Sequence, residues 1–167
     1  MIKKLVNIEK KIKNLYILCG IILITFFVTI ESQAELIKPS YTIEPYQVVK
    51  IQLRSLKNND NPTIDNGIEQ TWQFAHPNNQ KNTGPLVRFK NMIKGKSYEM
   101  LLNHLDHKVV EIESNDLKAL FEVTVLDKDK AYYKFNWTVE KYNEEGLLKG
   151  CWLTTMVSKP KPLGSSI

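Results

Sequence analysis

The spacing of apolar residues changes once along this chain, near residue 107, and that change constrains the fold more than any other feature. Before it, apolar residues recur every three to four positions, which is typical of amphipathic helices. After it, apolar and polar residues alternate, which is typical of half-buried strands. The sequence therefore predicts an α+β domain with its helices first and its strands second.

Four helices are predicted before the change of period. The first covers residues 45–58, and the second follows Asp65, a residue suited to capping a helix N-terminus. The second helix is expected to stop at His76, and a polar loop is expected over 78–84. The two remaining helices are predicted over residues 85–93, beginning at Pro85, and over 97–102, beginning at Ser97. Each of them has an apolar face.

Four strands are predicted after the change of period. Their alternating rows are Val110 and Ile112, then Ala119, Phe121, Val123 and Val125, then Tyr133, Phe135, Trp137 and Val139, and finally Gly150, Trp152, Thr154 and Met156. Short, turn-rich breaks separate the rows, so neighbouring strands must be antiparallel. The amphipathic helices are the only cover for the aromatic face, which predicts N-terminal helices packed on a curved four-stranded antiparallel meander.

The N-terminus carries a lysine-rich start followed by an uncharged apolar run, Leu15–Ile30. Small residues at Ser32 and Ala34 resemble a signal-peptidase site, so cleavage is expected between Ala34 and Glu35. An uncleaved membrane anchor is the main alternative, and a buried core helix is a weaker one. Both leading interpretations predict an exported domain, because lysines before an apolar segment favour an N-terminus inside the cell.

The 167 residues predict one domain with flanking segments. The expected organisation is a signal peptide or anchor over 1–34, a short lead-in over 35–43, an α+β domain over 44–158 and a flexible tail over 159–167. The net charge is +5, but residues 35–167 hold 18 basic and 16 acidic residues, so most of the excess positive charge lies in the leader. This distribution excludes the usual footprint of a nucleic-acid-binding protein.

The common catalytic and metal-binding patterns do not occur in the sequence. We find no phosphate-binding glycine loop, no Ser-His-Asp arrangement and no paired thiols, and Cys151 is the one cysteine after the leader, expected as a free buried thiol. His104 and His107 are three residues apart, but they are interpreted as surface histidines because no third ligand follows a known pattern. No metal and no cofactor is expected.

Several segments carry a resemblance to a known family. They are Pro45–Leu53, Asn59–Pro62, Asp65–Ile68, Phe74–Asn78, Thr83–Phe89 and Gly150–Thr154. Together they resemble the family catalogued as domain of unknown function 4864, and the order of helices and strands resembles the nuclear transport factor 2-like superfamily. The resemblance covers most of residues 40–157 and implies a cone of helices closed by a bent sheet, but no activity. Relatives often have a serine where this chain has His76. Relatives occur in photosynthetic organisms and other bacteria, which implies the periplasm or the thylakoid lumen as the location.

Two classes of function follow. The leading hypothesis is a non-enzymatic module that binds a small apolar ligand or a protein partner, with Trp72, Arg88, Trp137 and Trp152 as candidate ligand-binding residues. The alternative is a small lyase- or isomerase-like enzyme that uses Tyr98, His104 or Tyr133 inside the cone. A homodimer through the sheet would hide outward-facing residues, namely Leu120, Leu126, Leu147 and Leu153. Contact with a membrane is expected only through residues 15–30.

Overall fold

The computed structural model describes residues 35–165, so the predicted leader and its cleavage after Ala34 lie outside the described residues. Four α-helices precede a five-stranded antiparallel sheet, and the helices pack against it. The helices are α1 (Pro45–Lys57), α2 (Asn66–Gln73), α3 (Pro77–Thr83) and α4 (Leu86–Lys94), followed by a 3₁₀ turn (Glu99–Leu101). The strands are β1 (Asp106–Ser114), β2 (Lys118–Leu126), β3 (Ala131–Lys141), β4 (Trp152–Val157) and β5 (Lys161–Ser165). The predicted α+β architecture is confirmed.

Helix α1 forms where the sequence predicts it. Pro45 occupies the first helical position, where its missing N–H costs nothing. The Gln47 side chain accepts a hydrogen bond from the backbone N–H of Glu44 at 2.9 Å, which satisfies a donor that the helix leaves free. One face is buried against the sheet, and its residues are Val48, Val49, Gln52, Leu53 and Leu56.

Helix α2 begins after Asp65, but not through the capping contact that the sequence predicts. Asp65 is in the left-handed region at φ 66°, and its side chain makes no capping hydrogen bond. Instead, Lys94 Nζ donates to Asp65 Oδ2 at 2.8 Å, and Lys90 Nζ lies 3.8 Å from the same oxygen. Asp65 therefore connects α2 to α4 by an ion pair.

Helix α3 replaces the polar loop expected over 78–84, so that prediction is wrong. Asn78 donates its N–H to Nδ1 of His76 at 3.1 Å, which makes the histidine the N-cap. The His76 N–H in turn donates to the carbonyl oxygen of Thr154 at 2.9 Å. Attachment to β4 and the proline at the first helical position outweigh the weak helix propensity of an asparagine-rich segment.

Helix α4 and the 3₁₀ turn correspond to the last two predicted helices. Phe89 and Ile93 are buried on α4, as the predicted apolar face requires. In the 3₁₀ turn Leu101 is buried, and Tyr98 rather than Ser97 occupies the N-cap position. Both segments belong to the layer that covers the sheet.

The sheet follows the order β1-β2-β3-β4, and β5 pairs with the other end of β3. Phe121 lies opposite Trp137, and Val123 lies opposite Phe135; all four side chains are buried, which confirms the predicted aromatic face. The prediction of four strands is wrong, because the tail supplies β5. The sheet is not strongly curled.

The predicted burial is wrong in one row of the sheet and at one residue of another. Val109 pairs with the core residue Val123, so Val110 beside it lies on the outer face and is 39% exposed. Ile112 lies at the β-bulge between Glu111 and Glu113 and is 57% exposed. Leu153, predicted to face outward, is fully buried. The edge of β4 that does not pair with β3 is covered by the segment at Phe74, because Thr154 donates its N–H to Phe74 O at 2.7 Å.

The other outward leucines differ among themselves. Leu147 is fully exposed in the connection between β3 and β4. Leu120 and Leu126 are half-buried on β2. Of the four leucines predicted to face outward, three are therefore at least partly exposed and one is buried.

Candidate functional site

A cavity of about 90 Å³ lies between the helices and the inner face of the sheet. Its wall is mainly apolar and includes Leu56, Phe89, Met92, Ile93, Leu101 and Val157. Its polar lining consists of Gln52, Thr71, Asn79, Thr83, Tyr98, Thr154 and the indole of Trp137. Such a mixture, apolar walls with a few converging polar groups, is typical of small-molecule sites.

A buried hydrogen-bond network forms the polar side of the cavity around Gln52. The Gln52 Oε1 accepts from Thr154 Oγ1 at 2.7 Å and from Trp137 Nε1 at 3.0 Å. The Gln52 Nε2 donates to the carbonyl oxygen of Thr71 at 3.0 Å. Gln52 is 1% exposed, so each of these bonds replaces water that the side chain has lost. The network fixes both the helices and the sheet at the cavity.

Tyr98 is the predicted catalytic candidate that reaches the cavity. Its hydroxyl donates to the carbonyl oxygen of Val157 at 3.3 Å, a long bond that leaves its oxygen free to accept another. Burial raises the pKa of Tyr98, so the hydroxyl stays protonated at neutral pH. Among the described residues, no carboxylate and no histidine lines this cavity.

His104 is buried rather than on the surface, and this corrects the prediction. The residue is 2% exposed; Nδ1 lies 2.7 Å from the carbonyl oxygen of Leu101, and Nε2 lies 2.7 Å from Nδ1 of His107. Because a carbonyl only accepts, Nδ1 of His104 carries the proton, and His107 must donate to Nε2. Burial is the main cause that lowers the pKa of His104, to about 4, and the smaller effects of neighbouring groups act in both directions.

His107 is half-buried beside α1. Burial lowers its pKa, and the positive charges of Lys57, Lys50 and Arg54 lower it further, against an opposing effect of Asp106. The two histidines therefore form a neutral pair behind Leu101, outside the cavity lining. The part of the chain that the structure describes contains no group of three or more residues arranged to hold a metal ion.

The predicted tryptophans have three different environments. Trp137 lines the cavity. Trp72 packs on Phe89 with ring centroids 4.8 Å apart, so it supports the cavity wall from behind. Trp152 is buried elsewhere, with Lys141 Nζ 4.9 Å from its ring centroid.

The remaining predicted residues do not converge on the cavity. Arg88 is exposed on α4, and Tyr133 packs against the core from β3. Cys151 is a free buried thiol, as predicted, and burial raises its pKa. The structure thus brings together Tyr98 and Trp137 from the predicted set.

Sequence reasoning missed the polar members of the cavity. Gln52, Thr71 and Thr154 were not candidates, although Gln52 interrupts an otherwise apolar face of α1. A polar side chain within an apolar stripe was the available signal, since buried polar groups need partners.

No protein-family model, no curated protein and no solved structure matches this chain. Within residues 35–165, every helix is too short or too polar to cross a membrane.

Proposed function

We propose that residues 35–165 form a small-ligand-binding module that holds a mainly apolar molecule in the cavity beside Gln52. The observation that carries this proposal is the cavity itself, with apolar walls and a buried hydrogen-bond network on one side. An apolar cavity of about 150 Å³ is known to hold benzene. A cavity of about 90 Å³ therefore favours a ligand of only a few non-hydrogen atoms.

The hydrogen-bonding atoms of the cavity lining that lack a partner limit the polar contacts that a ligand can make. The hydroxyl protons of Thr71 and Thr154 are donated within the protein, to Gly67 O at 2.9 Å and to Gln52 Oε1 at 2.7 Å. The hydroxyl oxygens of Thr71 and Tyr98 keep free lone pairs. The second N–H of Gln52 Nε2 has no partner within residues 35–165. A ligand that is mainly apolar and either donates one hydrogen bond to these oxygens or accepts one from Gln52 suits this lining.

We further propose that the domain belongs to the nuclear transport factor 2-like superfamily, as a shallow cone, and to the family of domain of unknown function 4864. Residues 1–34 would act as a signal peptide or membrane anchor and place the domain in the periplasm or thylakoid lumen. The helices packed on an antiparallel sheet support membership of the superfamily. The lysine-rich, apolar sequence of the leader supports export.

The ligand proposal is tested by native mass spectrometry of the protein purified from its own membrane and soluble fractions. A bound small molecule is expected in the wild-type protein and absent from A75L, in which a larger side chain fills the cavity from a 3% exposed position. A131L is the matched control, because Ala131 is half-buried on β3 outside the cavity. Equal ligand content in A75L and A131L would refute the cavity as the site.

An enzyme is the second candidate, favoured by one observation. Tyr98 lines the cavity with a protonated hydroxyl whose bond to Val157 O is long, and a hydroxyl that turned from Val157 to the ligand would stabilise a developing oxyanion, as donors do in lyases and isomerases. The described lining offers no general base, so the ligand itself would have to supply one. If the alternative holds, Y98F abolishes turnover of the bound molecule while the molecule still copurifies; no turnover by the wild-type protein would reject it.

A homodimer through the outer face of the sheet stays a proposal as well. A surface concavity there is lined by Leu120 and Met156 among mostly polar neighbours. The same mass spectra report the oligomeric state, and L120K is expected to convert a dimer to a monomer. A wild-type monomer at micromolar concentration would end this proposal.

A further inference from the structure

Helix α1 presents three positively charged side chains on its exposed side. Lys50, Arg54 and Lys57 recur at about one-turn intervals, and within residues 35–165 none of them lies within ion-pair distance of a carboxylate. Lys57 Nζ donates instead to the carbonyl oxygen of Leu105 at 2.6 Å. We name Lys50, Arg54 and Lys57 the α1 basic stripe.

The field of the stripe reaches the neighbouring strand. Burial is the largest cause of the lowered pKa of His107 on β1. The charges of all three stripe residues lower that pKa further, and Asp106 opposes them only in part. The local potential is therefore positive, and an anionic partner would relieve it.

Apolar and aromatic groups lie directly beside the stripe. An open groove is lined by Ile43, Tyr46, Gln47, Lys50, Ile51 and Arg54. Tyr46 is 41% exposed, and Lys50 Nζ lies 5.7 Å from the centroid of its ring. A tyrosine next to basic side chains is a combination enriched where proteins meet the interface of a bilayer.

We infer that α1 docks on an anionic lipid surface, with the α1 basic stripe against the headgroups and Tyr46 at the interface. Lys50 and Lys57 are seven positions apart, about 10 Å along a helix, which suits a layer of headgroups better than a single phosphate. The sequence adds a second reason. Only residues 31–44 separate the apolar run from α1, and Ile37 among them is hydrogen-bonded in both directions to the Gln70 side chain, so the free connection is shorter than the about 50 Å that 14 extended residues span. A retained anchor would thus hold the stripe at high local concentration near the headgroups.

The test uses the full chain in lipid nanodiscs that contain a dansyl-labelled headgroup, with either neutral lipid alone or neutral and anionic lipid mixed. Energy transfer from the native tryptophans to dansyl reports docking of the domain. Transfer is expected to be higher on anionic discs and to fall when salt is added, because salt screens exposed charges.

Variants assign the effect to the stripe. K50Q/R54Q/K57Q removes three charges, keeps a donor at residue 57, and should lower the docked-to-undocked ratio about 100-fold, since each basic residue near an anionic surface contributes roughly a fivefold factor. K50Q/R54Q alone should lower it about 25-fold by the same reasoning. The matched control K81Q/K128Q/K159Q removes three exposed lysines from other surfaces and should leave the ratio nearly unchanged. Circular dichroism checks that each variant is folded.

Several results would overturn the inference. Transfer that ignores lipid charge, or an equal loss in the control variant, would show that α1 is not the docking surface. Binding of inorganic phosphate or of a polyglutamate peptide to the stripe, without any dependence on lipid charge, would assign it to another anion. All these outcomes leave the cavity proposal intact, because the stripe and the cavity lining share no residue.

Discussion

The indole Nε1 of Trp137 donates a hydrogen bond to the side-chain Oε1 of Gln52 at 3.0 Å, across the interface between the sheet and α1. Thr154 donates to the same oxygen at 2.7 Å. One amide on a helix therefore joins β3 and β4, and the three side chains form one side of the cavity. The side chains that join the helix to the sheet are thus also side chains of the proposed ligand cavity.

The first prediction concerns Gln52. Q52L keeps the approximate size of the side chain but removes the acceptor for Trp137 Nε1 and Thr154 Oγ1. Two buried donors then lose their main partner, and the free energy of unfolding should fall by about 3 kcal/mol. Urea denaturation measures it. Q73L on α2 is the control, since Gln73 is half-buried and makes no side-chain hydrogen bond within residues 35–165; equal losses would contradict the role given to Gln52.

The second prediction concerns the crossing of α1 and α2. A Cβ added at Gly67 would overlap the carbonyl oxygen of Ser55 and lie 2.8 Å from Asn59 Cα, both of them backbone atoms that have little freedom to move. G67A should therefore destabilise the protein by about 3 kcal/mol. G95A, whose nearest neighbour would be Met92 O at 3.2 Å, should cost clearly less in the same thermal or urea unfolding experiment. A neutral G67A would mean that the two helices separate more easily than their contact implies.

The third prediction concerns acid stability. The folded-state pKa of His104 is about 4, below its ordinary value of 6.5, because burial disfavours the charged ring. The unfolded chain thus binds the proton more readily. This contribution to stability is complete above pH 6.5 and is lost as the pH falls from 6.5 to 4, by about 3 kcal/mol. H104Q should flatten that part of the stability profile in urea unfolding; an unchanged slope would contradict the assignment, and NMR titration of the ring gives an independent check.

The fourth prediction concerns the ion pair between α2 and α4. Burial of Asp65 raises its pKa, but the hydrogen bond and charge of Lys94 and the charge of Lys90 outweigh it, so the pKa lies below 3.8. D65N tolerates the left-handed backbone and isolates the charge. It should cost roughly 1 to 2 kcal/mol at neutral pH, with the contribution of Lys94, which is 45% exposed, reduced by solvent.

The pH dependence separates charge from packing at Asp65. A carboxyl group with a lowered pKa stabilises the fold above its ordinary pKa, and that stability disappears as the pH falls through the folded value. The difference between D65N and the wild-type protein should therefore shrink as the pH falls below 3.8, the ordinary value for this carboxyl group, and disappear once Asp65 is protonated in the folded state. E122Q, which removes the half-exposed pair with Lys134, should cost only about 0.5 kcal/mol at neutral pH.

Local pattern was enough for much of the architecture. The alternation in β2 and β3 placed Phe121, Phe135 and Trp137 on the buried face, and the apolar stripe of α1 was placed correctly. It failed at α3, where attachment of His76 to Thr154 stabilises a helix that the propensities of its residues disfavour. It also failed at β5, since a short strand with proline and glycine forms only because β3 offers a free edge.

The candidate site was harder to predict, and His104 shows why. From the sequence it was one of two histidines near a boundary, whereas in the fold it is buried and bonded to Leu101 and His107. Gln52 reads as one polar residue in an apolar stripe until Trp137, which is 85 positions away, supplies its partner.

The sequence by itself determined the order of helices and strands and the buried face of the best-patterned elements. It did so because burial of one face requires an apolar residue at every second position of a strand and at every third or fourth position of a helix. That spacing can be seen in residues close together in the chain. Only the tertiary structure decided the cavity, the histidine pair and the contacts of Asp65. Those depend on groups far apart in the chain, whose pKa values and hydrogen bonds are set by burial and by partners that folding alone brings within reach.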